Sequence, residues 1–328
     1  MNLPAGKLPA DLLRALLASL PAFDRSVVLG PHIGEDAAVI DTGAPELLVA
    51  KTDPITFAAE DVPRYLLAVN SNDLATVGAE PRWLLVTVLL PEGIAEQRAI
   101  SLFEGLKAAC EEAGVSLVGG HTEITVGLDR PILVGCLLGT VPRHRLVRTS
   151  GARVGDAILL AGGIAIEGAA ILAREHAPAL RARGVPEAVL EAAAGWLRSP
   201  GISVLPAARA LNATGAVHAM HDPTEVGLIT ALHELAEAAG VGLRIDLAAI
   251  PVLPECRVIC DALGLDPLGL LASGALLATL DPAEVPAALD RFPAACIGEV
   301  VAPADALPLP RFPRDELARF LASRGQAT

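Results

Sequence analysis

Two kinds of segment alternate along most of this chain, and their alternation narrows the range of folds more than any other feature. Short apolar runs typical of buried strands are separated by segments whose apolar residues recur every three or four positions, as in an amphipathic helix. The strand-like runs include AAVID, ELLVAKTD, WLLVTVLL and ILVGCLLGTV, and the helix-period segments include IAEQRAISLFEGLKAACEEAG. This alternation predicts an α/β (α+β) protein.

The length of the chain and one charged segment predict two domains. The 328 residues are enough for two domains of ordinary size, each with its own core. Residues 142–156, PRHRLVRTSGARVGD, are charged and contain glycine, and they interrupt the alternation of strands and helices. Such segments often join domains. We therefore predict an N-terminal domain over residues 1–148 and a C-terminal domain over residues 149–328.

Composition excludes some classes of protein. The longest apolar runs, such as WLLVTVLL, are less than half the ~20 residues that a membrane-spanning helix needs, and the N-terminus lacks the features of a signal peptide. We therefore expect a soluble, cytoplasmic protein that does not bind membranes. A net charge of −13 and an aromatic content of 3% argue against nucleic-acid binding. The expected partner is a small molecule or another protein.

One helix has a predicted start and end. In HDPTEVGL, Asp222 is a candidate N-cap, Pro223 suits the first helical position, and Glu225 stands where a capping box has an acid or amide. Gly240 then predicts the end of the same helix.

Four acid-containing segments share one pattern, an Asp beside small or polar residues at the end of an apolar element. They are GED (34–36), KTD (51–53), NSND (70–73) and HD (221–222). Each Asp taken alone is compatible with a helix cap or a turn. Taken together, Asp36, Asp53, Asp73 and Asp222 can meet in one crevice, where their charges repel unless a cation neutralises them. Magnesium prefers oxygen ligands and substrate phosphates, so the pattern predicts a metal-bound nucleotide.

Two glycine-bearing segments are weaker candidates. In LVGGHTEITVG, Gly119 and Gly120 would let backbone amides approach an anion, and His121, Thr122 and Glu123 add three polar groups; a structural turn is the alternative. AGGIAIEG (161–168) has glycines between a predicted strand and a predicted helix but no Walker lysine, so a tight turn is the alternative there as well.

These segments, in this order, resemble the superfamily of aminoimidazole ribonucleotide synthase, thiamine-monophosphate kinase, selenophosphate synthetase and the hydrogenase-maturation protein HypE. The resemblance extends from about Gly30 to Val300, and GLDPLGLLASGALLATL and IGEVV are most similar to HypE. It implies a two-domain subunit with a C-terminal α/β sandwich and an N-terminal sheet that closes a barrel with its copy in a homodimer. It also implies that ATP and Mg²⁺ are bound.

The resemblance implies roles for individual residues. Asp36, Asp53, Asp73 and Asp222 would bind the metal, and His121, Glu123 and Asp222 would take part in catalysis. The residues implied near the nucleotide are Asp36, Lys51, Thr52, Asp53, Asn72, Asp73, Gly119, Gly120 and Thr122. The implied activity is ATP-dependent phosphoryl transfer to an oxygen of a small substrate, with a link to hydrogenase maturation. The alternatives are an ATP-binding maturation or regulatory partner of another maturation factor, and a thiamine-monophosphate kinase.

Two departures from the family pattern bear on these roles. HypE proteins carry a cysteine at the extreme C-terminus as carbamoyl acceptor, whereas the last cysteine of this sequence is Cys296. The acceptor is therefore left open. His121 stands where kinase-like members have an acidic metal ligand. Because imidazole is a poor magnesium ligand, Glu123 is expected to supply the carboxylate, and His121 to contact a phosphate or act as an acid or base.

Overall fold

The computed structural model describes residues 6–21, 24–56, 58 and 60–325. Their contacts divide the chain into two compact units. The N-terminal unit contains residues 24–30 and 36–146, and the C-terminal unit contains residues 31–35, residues from 147 onward and the first part of the chain with helix α1 (Ala10–Ala18). The boundary between Leu146 and Val147 lies in the charged segment 142–156. Among the described residues, no helix combines the length and the apolar character needed to cross a membrane.

The N-terminal unit is built on a six-stranded sheet. Its elements are β1 (Val27–Leu29), β2 (Ala38–Ile40), β3 (Glu46–Ile55), α2 (Val62–Thr76), β4 (Glu80–Pro91), α3 (Glu96–Ala113), β5 (Ser116–Thr125) and β6 (Ile132–Pro142). The strand order is β1-β2-β3-β6-β4-β5. All neighbours are antiparallel except β4 and β5, which are parallel. Strand β5 stands last in this order and is therefore an edge strand.

The two faces of this sheet differ in burial. Side chains alternate along β3, β4 and β6 between buried positions and more exposed ones, as expected for strands with one covered face. Helix α2 packs against β3, β6 and β4, and Leu74 of α2 belongs to the same buried cluster as Val49 and Leu137. We call the face covered by α2 the covered face and the other the open face.

The C-terminal unit is built on a five-stranded antiparallel sheet of order β8-β10-β7-β11-β9. The strands are β7 (Ala157–Ala161), β8 (Val217–His221), β9 (Gly242–Ile245), β10 (Leu276–Leu280) and β11 (Ala294–Val301). The helices are α4 (Ile166–Glu175), α5 (Ala177–Arg181), α6 (Glu187–Ala194), α7 (Leu205–Asn212), α8 (Gly227–Ala239), α9 (Pro254–Leu263), α10 (Val285–Arg291) and α11 (Glu316–Gly325). The predicted mixed α/β fold class is confirmed. The barrel shared with a second copy stays a prediction.

Helix α8 ends as predicted but begins later. Gly240 adopts the left-handed conformation after its last turn, which confirms the predicted end. Asp222 is not its N-cap: the helix begins at Gly227, after Val226 with φ of 63°. A positive φ is unfavourable for a β-branched residue. Here the Val226 N–H donates to Asp315 Oδ2 at 2.7 Å, and this contact from a distant segment helps to hold the chain out of the helix.

Candidate functional site

Two of the predicted acids meet around one lysine in the N-terminal unit. Lys51 Nζ lies 3.5 Å from Asp53 Oδ2 and 3.4 Å from Asp73 Oδ2. Lys51 and Asp53 are two residues apart on β3 and therefore point to the same face of the sheet. Asp73 comes from α2, the helix that packs on β3. The covered face thus joins the KTD and NSND segments, which lie about twenty residues apart in sequence.

Asn70 supports this arrangement, although it was not among the residues predicted from the sequence. Its side chain is fully buried; its Oδ1 accepts a hydrogen bond from the Asp53 N–H at 3.1 Å, and its Nδ2 donates to the Leu66 carbonyl at 2.9 Å. Gly135 of β6 lies opposite Asp53, and a Cβ there would be only 2.9 Å from Asn70 Nδ2. Two features of the sequence could have indicated this role of Asn70. They are its position as the first residue of NSND and the presence of Gly135 inside an otherwise apolar strand.

The structure also places the other predicted residues of the KTD and NSND segments, and Asp36 of the GED segment. Asn72 is fully buried in α2 and Asp73 is 3% exposed. Thr52 Oγ1 donates to the Gly135 carbonyl at 2.7 Å. Asp36 is half-buried just before β2, the strand that pairs with β3. Consecutive buried polar residues in one helix are costly unless they are paired, so this stretch of α2 is a strong candidate for function.

The GGHTE segment lies inside strand β5 (Ser116–Thr125), so the alternative of a structural turn does not apply. A Cβ on Gly120 would come 1.9 Å from the Val86 carbonyl oxygen of β4, whereas one on Gly119 would meet Leu85 Cδ2 at 3.8 Å. Gly120 is therefore required for the close approach of the two strands. Anion binding by the backbone of these glycines stays a prediction.

His121 and Glu123 lie on the open face of the sheet. They pair with Thr87 and Leu89 of β4, which point away from α2, while Thr122 between them points the other way. His121 Nε2 is 3.3 Å from Glu123 Oε2, and the two side chains are 66% and 48% exposed. Within one N-terminal unit, the sheet therefore separates this pair from Lys51 and Asp53.

Two further acids, Glu35 inside the GED segment and Asp41 shortly after it, have structural partners. Glu35 accepts hydrogen bonds from the N–H groups of Thr149 and Ser150 at 3.2 and 3.1 Å, within the C-terminal unit. Asp41 accepts two hydrogen bonds from Arg143, at 2.7 and 2.5 Å, within the N-terminal unit. These hydrogen bonds from Arg143 lower the pKa of Asp41 to about 2.

The C-terminal unit contains a second group of buried acids. Asp222 follows β8 and is 2% exposed. Glu167, in the first turn of α4, is 5% exposed; Ser273 donates a hydrogen bond to its carboxylate, and Oε2 has no hydrogen-bond partner in the described part of the chain. Burial raises the pKa of Glu167 to about 7, and the charges of Asp315 and Asp222 act in the same direction.

Asp315 belongs to this second group and holds backbone in place. It accepts hydrogen bonds from the N–H groups of Val226 and Leu317, both at 2.7 Å. Burial raises its pKa to about 6 in spite of these bonds. The only sequence signal for Glu167 is its position in AGGIAIEG, and no sequence motif indicates Asp315.

Comparison with known proteins identifies the family. The profile described as "AIR synthase related protein, N-terminal domain" matches residues 34–141, and the one described as "AIR synthase related protein, C-terminal domain" matches residues 153–306. Together they cover most of the sequence. The chain therefore belongs to the AIR synthase related protein family.

Individual proteins show the same relationship. The carbamoyl dehydratase HypE of Cupriavidus necator is 32% identical over 291 residues, which are 87% of this chain and 78% of that protein. A crystal structure of hydrogenase maturation protein HypE in complex with ATP is 25% identical, with a TM-score of 0.66 over 91% of this chain and 88% of that one. A HypE–HypF complex is similar in fold, with 23% identity and a TM-score of 0.68 over 82% of this chain and 88% of that one. The predicted resemblance is confirmed.

Proposed function

We propose that this member of the AIR synthase related family is an ATP- and Mg²⁺-dependent enzyme that transfers the γ-phosphoryl group of ATP to an oxygen of a small substrate. The observation that carries the proposal is the meeting of Asp53 and Asp73 around Lys51 on the covered face. Carboxylate oxygens of this kind are the ligands that magnesium prefers, so the residues present fit the ion. The solved complex of a HypE protein with ATP supports a nucleotide as the ligand.

In this proposal the protein positions reactants and offsets charge. Phosphoryl transfer needs little covalent participation by the protein, and catalysis comes mainly from placement and electrostatics. Bound Mg²⁺ would neutralise charge on the phosphates. Asp36, Asp53, Asp73 and Asp222 would hold the metal. Lys51, Thr52, Asn72, Thr122 and the backbone of Gly119 and Gly120 would contact the nucleotide. His121 and Glu123 would act on the phosphates or as acid and base.

We further propose a homodimer formed through edge strand β5 of the N-terminal sheet. Almost every residue of β5 is exposed. Its apolar side chains include Leu117 at 42%, Val118 at 55% and Ile124 at 64% exposure. An exposed apolar edge strand favours pairing with another chain. Pairing there would also place His121 and Glu123 next to the second copy.

Replacement of Ile124 by lysine should convert the dimer to a monomer. The measurement is molar mass by light scattering after size-exclusion chromatography. Leu307→Lys, at a leucine of the C-terminal unit that is 51% exposed, is the matched control and should stay dimeric. A monomeric wild-type protein, or a dimeric Ile124→Lys variant, would overturn the dimer proposal.

The reaction is tested by following ADP release from ATP and Mg²⁺ in the presence of candidate amides, carbamates and monophosphates. The expected result is that one of these classes stimulates release. Thiamine monophosphate belongs in the panel because stimulation by it alone would favour the kinase alternative.

A second candidate function is an ATP-binding maturation or regulatory partner that does not turn over a free substrate. The solved assembly of HypE with HypF favours it, because a relative of the same fold binds a second protein. If calorimetry shows ATP binding while no candidate substrate stimulates ADP release, the enzyme proposal fails and this second candidate is supported.

A further inference from the structure

Lys51 places a positive charge between two carboxylates that the proposed function assigns to a metal. Its ammonium is 3.5 Å from Asp53 Oδ2 and 3.4 Å from Asp73 Oδ2. Both distances exceed the roughly 2.7–2.9 Å of a charge-assisted hydrogen bond, so the ammonium is shared between the acids and not committed to either. The Asp73 side chain is only 4% exposed, and solvent therefore screens this charge pair weakly.

The position of Lys51 in the strand makes this pairing specific. It continues the row of covered-face residues that includes Leu47 and Val49, and its partner across the sheet is the fully buried Leu137. Lysine is rarely found in such a row unless its charge is paired. Asp53 and Asp73 provide that pairing at the end of the apolar row.

We propose that Lys51 is a built-in counter-cation, whose ammonium takes the place of a divalent ion between Asp53 and Asp73 as long as no nucleotide is bound. The chain then binds divalent ions weakly on its own, and the metal enters together with phosphate groups. Phosphate oxygens can accept hydrogen bonds from the ammonium, which frees both carboxylates for the metal. Only this last step rests on the proposed function.

The test is a titration of the full chain with Mn²⁺ in the absence of nucleotide, with free Mn²⁺ measured by electron paramagnetic resonance. Lys51→Met should bind Mn²⁺ at least ten times more tightly than the wild type, while Lys51→Arg should bind as weakly as the wild type. Lys107→Met is the matched control, because it removes one positive charge from an exposed position on α3 of the same unit. It should change the affinity less than twofold.

A double variant localises the effect. Adding Asp53→Asn to Lys51→Met removes one of the two carboxylates and should return the affinity to the wild-type level. If circular dichroism shows that Lys51→Met is not folded, Lys51→Gln provides the same comparison with a neutral hydrogen-bond donor. A folded Lys51 variant with neutral side chain that binds Mn²⁺ no more tightly than Lys107→Met would overturn the proposal.

The outcome is separable from that of the proposed function, because the titration contains no ATP. A gain in Mn²⁺ affinity without any substrate-stimulated ADP release would support the role of Lys51 and contradict the proposed reaction. Substrate-stimulated ADP release without a gain in Mn²⁺ affinity would support the proposed reaction and contradict the role of Lys51.

Discussion

Each unit of the molecule buries a group of acids, and the two groups are neutralised in different ways. In the N-terminal unit, Asp73 is 3% exposed and shares the ammonium of Lys51 with Asp53. In the C-terminal unit, Glu167 is 5% exposed and its pKa is raised to about 7, chiefly by burial. A buried carboxylate is costly unless its charge is balanced. A neighbouring lysine balances it with a positive charge, whereas a bound proton does so only below the pKa of the acid.

Similar burial therefore does not imply that the charge is balanced in the same way. The acids around Lys51 share a positively charged partner and are suited to a metal ion. The charge of Glu167 changes within the range of ordinary assay conditions. The two groups should therefore respond differently to mutation and to pH, and three experiments of decreasing effect test this difference.

The largest effect is expected from Asp73→Asn. This change removes one carboxylate from the Lys51 group, and loss of a charged group that stabilises the reacting phosphates should lower substrate-stimulated ADP release by about 100-fold to 1,000-fold. The measurement is ADP release at saturating ATP and Mg²⁺, with circular dichroism to confirm folding. A loss of less than threefold would mean that this group of acids does not serve the reaction.

A smaller effect is expected from Glu167→Gln, and it concerns stability. Because the folded pKa of Glu167 lies near 7 and the ordinary value is 4.5, the folded state binds more protons than the unfolded state between these values. The stabilising contribution of protonated Glu167 is thus fully present below about pH 4.5 and is lost as pH rises through 7. One pKa unit corresponds to about 1.4 kcal/mol, so the free energy of unfolding should fall by about 3 kcal/mol across this window.

Urea denaturation at pH 5 and pH 8 measures this difference. In Glu167→Gln, which mimics the protonated side chain, the pH dependence should shrink and leave the smaller contribution of Asp315, whose pKa is raised to about 6. Glu187→Gln is the control, because the exposed Glu187 pairs with Arg181, which lowers its pKa. An unchanged pH dependence in Glu167→Gln would show that protons do not neutralise this acid.

The smallest effect is expected from Asp41→Asn. Asp41 pairs with Arg143 at the surface of the N-terminal unit, and exposed ion pairs add little to stability. Its pKa of about 2 means that any contribution is lost only as pH falls toward that value. At pH 7, the thermal midpoint and ADP release should both match the wild type. A loss of activity comparable to that of Asp73→Asn would remove the distinction between buried and exposed acids.

The elements with strong local patterns could be predicted from the sequence. The helix-period segment after residue 93 forms α3, and Gly240 ends α8 because glycine adopts the left-handed conformation without strain. The motifs also identified the family. These features depend on neighbouring residues, so the local sequence carries the information.

Features that depend on distant contacts were predicted wrongly or not at all. Asp222 has the sequence of a helix cap, yet Asp315, some ninety residues away, bonds to Val226 and α8 starts later. GGHTE has the composition of a turn, yet Gly120 fits into a strand because the Val86 carbonyl leaves no space for a Cβ. Asn70, Glu167 and Asp315 were assigned no role, since their partners come from other segments.

The mixed α/β class, the family and the residue types that we propose to bind a metal-bound nucleotide follow from the linear sequence. Which of these residues meet depends on the three-dimensional fold. It placed Lys51 between Asp53 and Asp73, and it put His121 and Glu123 on the other face of the same sheet. Strand register and helix packing set these distances, and both arise from contacts between segments far apart in the chain.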